Sequence, residues 1–92
     1  MELKEGKNRY YFEFEDGHLA GEVTYSFYHP DVISLDHTYV DPALRGQHLA
    51  GQLVQAVVDK AKREGWKIIP ACSYAKARFA HNEAYQKIEF HG

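Results

Sequence analysis

The sequence lacks most of the features that mark secreted, membrane or metal-binding proteins. It contains one cysteine and therefore no internal disulfide, which favours a reducing, cytoplasmic setting. No apolar run approaches the roughly 20 residues that cross a bilayer, and the opening Met-Glu-Leu-Lys-Glu-Gly does not form a signal peptide. No repeat, low-complexity stretch or Cys/His spacing for zinc is present, so we expect no bound metal.

The composition is that of one small folded domain. The 92 residues are 45% hydrophobic and 14% aromatic, with seven Tyr, five Phe and one Trp. A chain of this length buries roughly 60–65% of the surface that its unfolded form exposes. These proportions exclude a disordered tail and leave no room for a second domain.

Charge is divided unevenly along the chain, although the net charge is only −2. Residues 1–41 carry nine acidic and three basic side chains, whereas residues 42–92 carry four acidic and eight basic ones. An acidic total argues against nonspecific nucleic-acid binding, which needs many phosphate contacts. The basic half indicates either attraction of a small anionic ligand or only a solvated surface.

Alternating apolar residues predict three consecutive strands whose short connections make an antiparallel meander. The strands cover residues 9–15, 19–27 and 32–40, and Asp16-Gly17 is a hairpin signal between the first two. In the third strand, the alternation places four side chains on one face: Ile33, Leu35, His37 and Tyr39.

A change of period predicts a helix over residues 47–64, which Gly65 ends. Its inward stripe consists of Leu49, Ala50, Leu53, Val54, Val57, Val58 and Ala61. A strand over residues 67–73 and a weaker helix from residue 75 to about 88 are expected to follow.

These elements predict an α+β fold of order β-β-β-α-β-α. The strand–helix–strand unit is expected to bring strands 32–40 and 67–73 together in parallel through a right-handed crossover. Pro70 has no N–H to donate to a ladder, so it predicts a sheet edge or a place where neighbouring strands part.

The most informative segment, residues 40–51, joins the third strand to the first helix. A helix N-terminus offers unpaired N–H groups and a positive dipole end. Gly46 allows a tight turn or a close backbone approach, and Arg45 adds a permanent positive charge. The segment indicates either an anion cradle suited to a pyrophosphate or an ordinary connection with a solvated arginine. Its glycine spacing fits neither a Walker A loop nor GxGxxG.

The run V-D-P-A-L-R-G-Q-H-L-A-G-Q-L-V resembles the acetyl-CoA loop of the GNAT N-acetyltransferase superfamily, whose core pattern is Q/R-x-x-G-x-G/A. Arg45 matches the first position and Ala50 the last, while His48 stands where the family usually has glycine. The resemblance therefore implies that the Cβ of His48 hinders the closest approach of the loop backbone to the phosphates.

The wider layout resembles the small single-domain, YjdJ-like members of this superfamily, which lack the first helices of full-sized GNAT enzymes. The similarity rests on Asp-His-Thr before the loop, Arg-Gly-Gln within it and Cys-Ser-Tyr after the helix, and it covers roughly residues 8–88. The fold implied is a truncated GNAT fold, with its two parallel strands splayed at the cofactor site.

The resemblance implies acetyl-CoA, or CoA, as the bound cosubstrate. The backbone of Thr38, Tyr39 and Val40 is expected to bond to the pantetheine arm. A second group is expected to hold the pyrophosphate: Arg45, Gly46, Gln47, His48, Leu49, Ala50 and Gly51. The start of the second helix contributes the remaining candidates for the nucleotide phosphates, for which solvated helix positions are the alternative: Ser73, Lys76 and Arg78.

Three side chains are candidates for the chemistry. Cys72 and His37 lie on the two predicted parallel strands and are expected to meet where these part. A Cys–His pair can supply a thiolate that accepts the acetyl group. Tyr74 is the candidate acid for the departing thiolate. From the residues alone, the alternatives are an inert buried cysteine, a core histidine and a rim aromatic.

The expected function is an acetyl-CoA-dependent N-acetyltransferase whose amine acceptor the sequence leaves open. The alternatives are a non-catalytic module that binds CoA and an interaction domain that binds none. Because N-terminal helices are not expected, either the acceptor site is open to a protein or peptide amine or a second subunit of a homodimer completes it. No nucleic-acid or membrane partner is expected.

Overall fold

The fold, described for all 92 residues by a computed structural model, is built on a five-stranded sheet whose strands lie in chain order. The first four strands are antiparallel to their neighbours, and the fifth is parallel to the fourth. The strands are β1 (Lys4–Gly6), β2 (Arg9–Glu13), β3 (Leu19–His29), β4 (Val32–Val40) and β5 (Lys67–Pro70). The predicted α+β fold, with its meander and parallel strand, is confirmed.

The first strand, β1, is not predicted by the sequence. Its three residues, Lys4–Gly6, have no apolar alternation, and the strand pairs with β2 through a turn in which Asn8 has φ 57°. The Glu5 carboxylate accepts a hydrogen bond from the Lys60 ammonium and raises the pKa of that group above its ordinary value. This ion pair joins the strand to the first helix.

Three α-helices lie on one face of the sheet, which we call the inner face. They are α1 (Leu49–Glu64), α2 (Ser73–Ala80) and α3 (Glu83–Gln86). None is long and apolar enough to cross a membrane.

The helix boundaries differ from the predicted ones in two places. The first helix begins at Leu49 rather than at residue 47, because Pro42–Leu44 forms a 3-10 helix and turn residues follow it. The single helix predicted over residues 75–88 is instead α2 and α3. The chain breaks between them, and the Asn82 side chain caps α3 by accepting a hydrogen bond from the Tyr85 N–H.

The core fills the space between α1 and the inner face of the sheet. The predicted apolar stripe of α1 supplies its most buried part, since five of its side chains are fully inaccessible: Leu53, Val54, Val57, Val58 and Ala61. Phe79 of α2 and Tyr85 of α3 belong to the same cluster, so the short helices share the core of the sheet. Because buried apolar surface contributes roughly 25 cal/mol per Å², we expect this contact to dominate the stability of the fold.

The fourth strand, β4, carries a bulge at Asp36. The register with β3 shifts by one residue between Leu35 and His37, which leaves Asp36 as the extra residue. The side-chain alternation changes phase there: Leu35 points inward and is fully buried, whereas His37 faces outward and is exposed. The prediction that His37 and Tyr39 share a face with Leu35 is therefore wrong.

Beyond this bulge, β4 and β5 part and leave a gap. Their parallel ladder pairs four positions and ends at Leu35. The carbonyl oxygen of Leu35 accepts hydrogen bonds from the N–H groups of both Ala71 and Cys72, each at 3.1 Å, as the chain turns into α2. Residues 36–40 consequently have no strand partner on that side.

The position of Pro70 confirms the predicted sheet edge, because β5 is the last strand. The Ile68 N–H, two residues earlier, donates to the Ile88 carbonyl on the side away from β4. Since N–H direction alternates along a strand, the proline nitrogen also faces the side away from β4. The expectation that Pro70 opens the gap by removing a β4 donor is therefore wrong, and the gap has its origin in the turn at Ala71 and Cys72.

Candidate cofactor site

A cavity of about 290 Å³ lies on the inner face beside the gap between β4 and β5. Its walls come from the end of β4, the loop before α1, the first turn of α1 and the first turn of α2. The lining residues are Thr38, Val40, Leu44, Arg45, Gly46, His48, Leu49, Ala50 and Tyr74. Most of the predicted cofactor residues thus surround one cavity, and Leu44, which the sequence did not single out, joins them as an apolar wall.

The backbone of β4 presents free polar groups to the gap. The Asp41 N–H donates to the Ala20 carbonyl of β3 at 2.8 Å, so its N–H points toward β3. Because backbone direction alternates, Val40 and Thr38 direct their N–H and C=O groups the other way, into the gap. Tyr39 directs its N–H and C=O groups toward β3, and it does not line the cavity. The expectation that its backbone bonds to a pantetheine arm is therefore wrong.

The other predicted cofactor residues lie around the cavity rather than in its wall. Gln47 is exposed in the loop, and Ser73 and Lys76 are exposed on α2. Gly51 faces a neighbouring groove of about 410 Å³ between α1 and α2, which Arg78 also lines. The cavity and the groove share two residues, His48 and Tyr74, so they form one continuous surface along the start of α1.

The backbone of His48 adopts the conformation that glycine adopts most easily. His48 is the N-cap of α1 and lies in the left-handed region, with φ 61° and ψ 24°. Its side chain makes no capping hydrogen bond and lines both the cavity and the groove. A histidine adopts this conformation at a cost of about 1–2 kcal/mol, which a glycine would avoid.

Substitutions at His48 are expected to separate backbone strain from side-chain chemistry. His48→Gly removes the strain and is expected to leave the free energy of unfolding within about 1 kcal/mol of the parent. His48→Val, with a branched Cβ, is expected to lower it by about 1–2 kcal/mol. Urea denaturation measures both. Gln47→Val is the matched control, since Gln47 has no positive φ, and an equal loss there would contradict the assignment of strain to His48.

The thiol of Cys72 lies at the end of the gap, at the N-cap of α2. Its Sγ accepts a hydrogen bond from the Ala75 N–H at 3.4 Å and lies 3.5 Å from Thr38 Oγ1. The side chain is half-buried. The predicted Cys72–His37 pair is not present, because the bulge at Asp36 turns His37 outward and brings Thr38 against the thiol instead.

The ring of Tyr74 lies between the cavity and the groove. Its hydroxyl is close to α1, at 3.6 Å from the position that a Cβ on Gly51 would occupy. The Arg78 guanidinium is also 3.6 Å from that position, so a methyl group at position 51 would make ordinary van der Waals contact with both groups.

The titratable groups do not form a metal site. No group of three His, Cys, Asp or Glu side chains lies close enough together to hold a metal ion. Of the titratable side chains, His48, Arg45 and Tyr74 line the cavity. The Cys72 thiol lies beside it, against Thr38.

Comparison with known proteins agrees with this fold. The family model for GCN5-related N-acetyl-transferases matches residues 9–88. A GCN5-like protein from Staphylococcus aureus, solved by NMR, is 35% identical with a TM-score of 0.81, over 97% of this chain and 87% of that one. No curated protein sequence matches this chain.

Two more distant solved structures share the fold. A ribosomal-protein-alanine N-acetyltransferase from Brucella melitensis is 22% identical with a TM-score of 0.59, over 91% of this chain and 63% of that one. An aminoglycoside N-acetyltransferase in complex with CoA is 20% identical with a TM-score of 0.58, over 91% of this chain and 67% of that one. This chain corresponds to about two thirds of the length of each.

Proposed function

Because this chain belongs to the GCN5-related N-acetyltransferase family, we propose that it transfers an acetyl group from acetyl-CoA to an amine in a reducing, cytoplasmic setting. The observation that carries the proposal is the cavity beside the strand gap, which combines free backbone groups with the N-terminus of α1. A cavity of this composition suits a ligand with amides at one end and phosphates at the other.

The residues of the cavity fit CoA. The free N–H and C=O groups of Thr38 and Val40 can pair with the two amides of a pantetheine arm, as an added strand would. The N–H groups at the start of α1 and the Arg45 guanidinium suit a pyrophosphate, which carries negative charge and accepts several hydrogen bonds. Arg78 lines the adjoining groove, where it can contact the phosphates of the nucleotide part of CoA.

Acyl transfer needs a place for the negative charge that develops on the carbonyl oxygen, and a proton for the departing sulfur. The free N–H of Val40 is the donor that we propose for the oxygen. Tyr74, whose ring borders the same cavity, is the donor that we propose for the sulfur. His37 lies on the outer face and takes no direct part in activating Cys72.

We propose that Cys72 receives the acetyl group before the amine does. In this exchange the bond from the acetyl carbon to the CoA sulfur breaks and a bond to Cys72 Sγ forms. Tyr74 gives its hydroxyl proton to the departing CoA sulfur and recovers a proton from the Cys72 thiol. The amine then attacks the new thioester and regenerates the thiol. The hydrogen bond from the Ala75 N–H and the contact with Thr38 support this role, since they hold the sulfur at the end of the gap.

The experiment that tests the proposed function follows the release of the CoA thiol from acetyl-CoA in the presence of primary amines. Steady amine-dependent release, with a matching acetylated product, is the expected result. CoA binding without release for any amine would instead support the non-catalytic CoA-binding module. Absence of both would contradict the proposal.

Arg45→Ala is expected to weaken CoA binding about tenfold, because a charge-assisted hydrogen bond to a phosphate is lost. The fold should be unaffected, since Arg45 is exposed in the loop. Calorimetric titration with CoA gives the affinity, and urea denaturation gives the stability. Arg63→Ala, which removes an exposed arginine from the far end of α1, is the matched control. Equal affinities in the two variants would remove Arg45 from the site.

A further inference from the structure

The outer face of the sheet, opposite the helices, is not covered by any other element. All three helices contribute to the core on the inner face. The helices and the cofactor cavity occupy one side of the gap between β4 and β5, so an acceptor can approach from the other side. The outer-face side chains nearest to the gap are those around the bulge of β4.

The carboxylate of Asp36, at the bulge of β4, is held in place by two hydrogen bonds. Asp36 is exposed, and each of its oxygens accepts a hydrogen bond of 2.6 Å, one from Ser26 Oγ on β3 and the other from Ser34 Oγ on β4. The two hydroxyls orient the carboxylate and leave its remaining lone pairs free. No lysine or arginine forms an ion pair with it, whereas four other acidic side chains do have a basic partner: Glu5, Glu13, Asp16 and Glu22.

The bulge places this carboxylate beside the gap. Asp36 follows Leu35, the last residue of β4 that bonds to β5, and precedes Thr38, whose hydroxyl contacts Cys72 on the inner side. His37 pairs in register with Thr24 and is also outward and exposed. Asp36 and His37 thus lie on the outer face of β4, at the level where its ladder with β5 ends and where Thr38 contacts Cys72 on the inner side.

We propose that the outer face at Asp36 is the acceptor site, and that it binds a cationic group of a substrate that carries a second amine. The carboxylate holds one ammonium group, and the second amine extends through the gap toward the acetyl group. The substrate class is therefore a diamine, or a peptide with a lysine-like side chain next to another positive charge. This inference rests on the proposed function, because the acceptor role requires acetyl transfer.

The test uses 1,4-diaminobutane as the probe and 1-aminobutane as the singly charged comparison. Titration of the whole protein with the diamine is expected to shift the backbone amide NMR signals of residues 26, 34, 36 and 37 saturably, at millimolar concentrations, and more strongly than the monoamine does. Asp36→Asn keeps the shape of the side chain and is expected to weaken diamine binding about fivefold, as befits an exposed charge pair. Asp31→Asn, at the exposed turn before β4, is the matched control and should bind as the parent does.

A kinetic measurement distinguishes this inference from the proposed function. Asp36→Asn is expected to raise the KM for the diamine about fivefold and to leave the KM for acetyl-CoA unchanged. Equal diamine KM values in the parent and Asp36→Asn, with transfer intact, would overturn the Asp36 site alone. Diamine binding at Asp36 without any transfer would overturn the acceptor role together with the proposed function. Amide spectra of Asp36→Asn and Asp31→Asn check that both variants remain folded.

Discussion

Incubation of the protein with acetyl-CoA alone is expected to add one acetyl group to Cys72. The thiol sits at the end of the gap, with its sulfur held by the Ala75 N–H and against the Thr38 hydroxyl. Intact mass spectrometry is expected to show one added acetyl group, and peptide mapping is expected to locate it at Cys72. Because a thioester reacts with hydroxylamine, brief treatment with that reagent should remove the added mass.

Removal of the thiol is the second part of this prediction. Cys72→Ala is expected to lower amine-dependent turnover by at least about 100-fold, because no nucleophile remains to carry the acetyl group. Cys72→Ser is the conservative control, since its hydroxyl can keep the N-cap hydrogen bond to Ala75. Both variants should bind CoA as the parent does. Turnover that persists in Cys72→Ala, with no acetyl mass in the parent, would contradict the covalent route and favour direct attack by the amine.

Leu53→Ala is expected to destabilise the fold by about 2–5 kcal/mol. Leu53 is fully buried in the second turn of α1, and its Cδ1 lies 3.4 Å from the position that a Cβ on Gly21 would occupy. The side chain therefore packs directly on the backbone of β3, and truncation leaves a cavity between helix and sheet. Since small domains have only about 5–15 kcal/mol of stability, such a loss is large. Urea denaturation of the parent and the variant measures it.

Leu3→Ala is the matched control for this prediction. It removes the same atoms from a side chain that is 41% exposed near the N-terminus. Its effect on the free energy of unfolding is expected to be below about 0.5 kcal/mol. Similar losses in Leu3→Ala and Leu53→Ala would contradict the view that the contact between α1 and the sheet dominates the stability.

The sequence is sufficient to predict the sheet and the main helix because both bury one clearly apolar side. The stripe of α1 repeats at helical spacing over four turns, and tertiary packing only reinforces that pattern. The short elements lack such a signal. The Lys4–Gly6 strand is ordered by pairing with β2 and by the Glu5–Lys60 ion pair, neither of which is visible in local sequence.

The loop before α1 can also be singled out from the sequence as a candidate site, because glycine, arginine and a helix start lie next to each other along the chain. The neighbour of the Cys72 thiol, Thr38, is not predictable in this way, since it depends on one extra residue, Asp36, in β4. A signal for that bulge does exist. Leu35 and Val40 both belong to the inner face but are an odd number of residues apart, which a regular strand cannot accommodate. An irregularity between Leu35 and Val40 reverses the side-chain alternation, so that Thr38 rather than His37 lies beside the thiol.

The measurement that tests the account most directly is a titration of the protein with acetyl-CoA and with CoA, followed by backbone amide NMR shifts. The account predicts saturable shifts concentrated at residues 38–51 and 72–78, which surround the gap and the cavity. The β3–β4 turn around Pro30 and Asp31, at the opposite end of β4 from Thr38 and Val40, should show none. Absence of shifts at millimolar ligand, or shifts confined to residues outside the two segments, would contradict a CoA site at the strand gap.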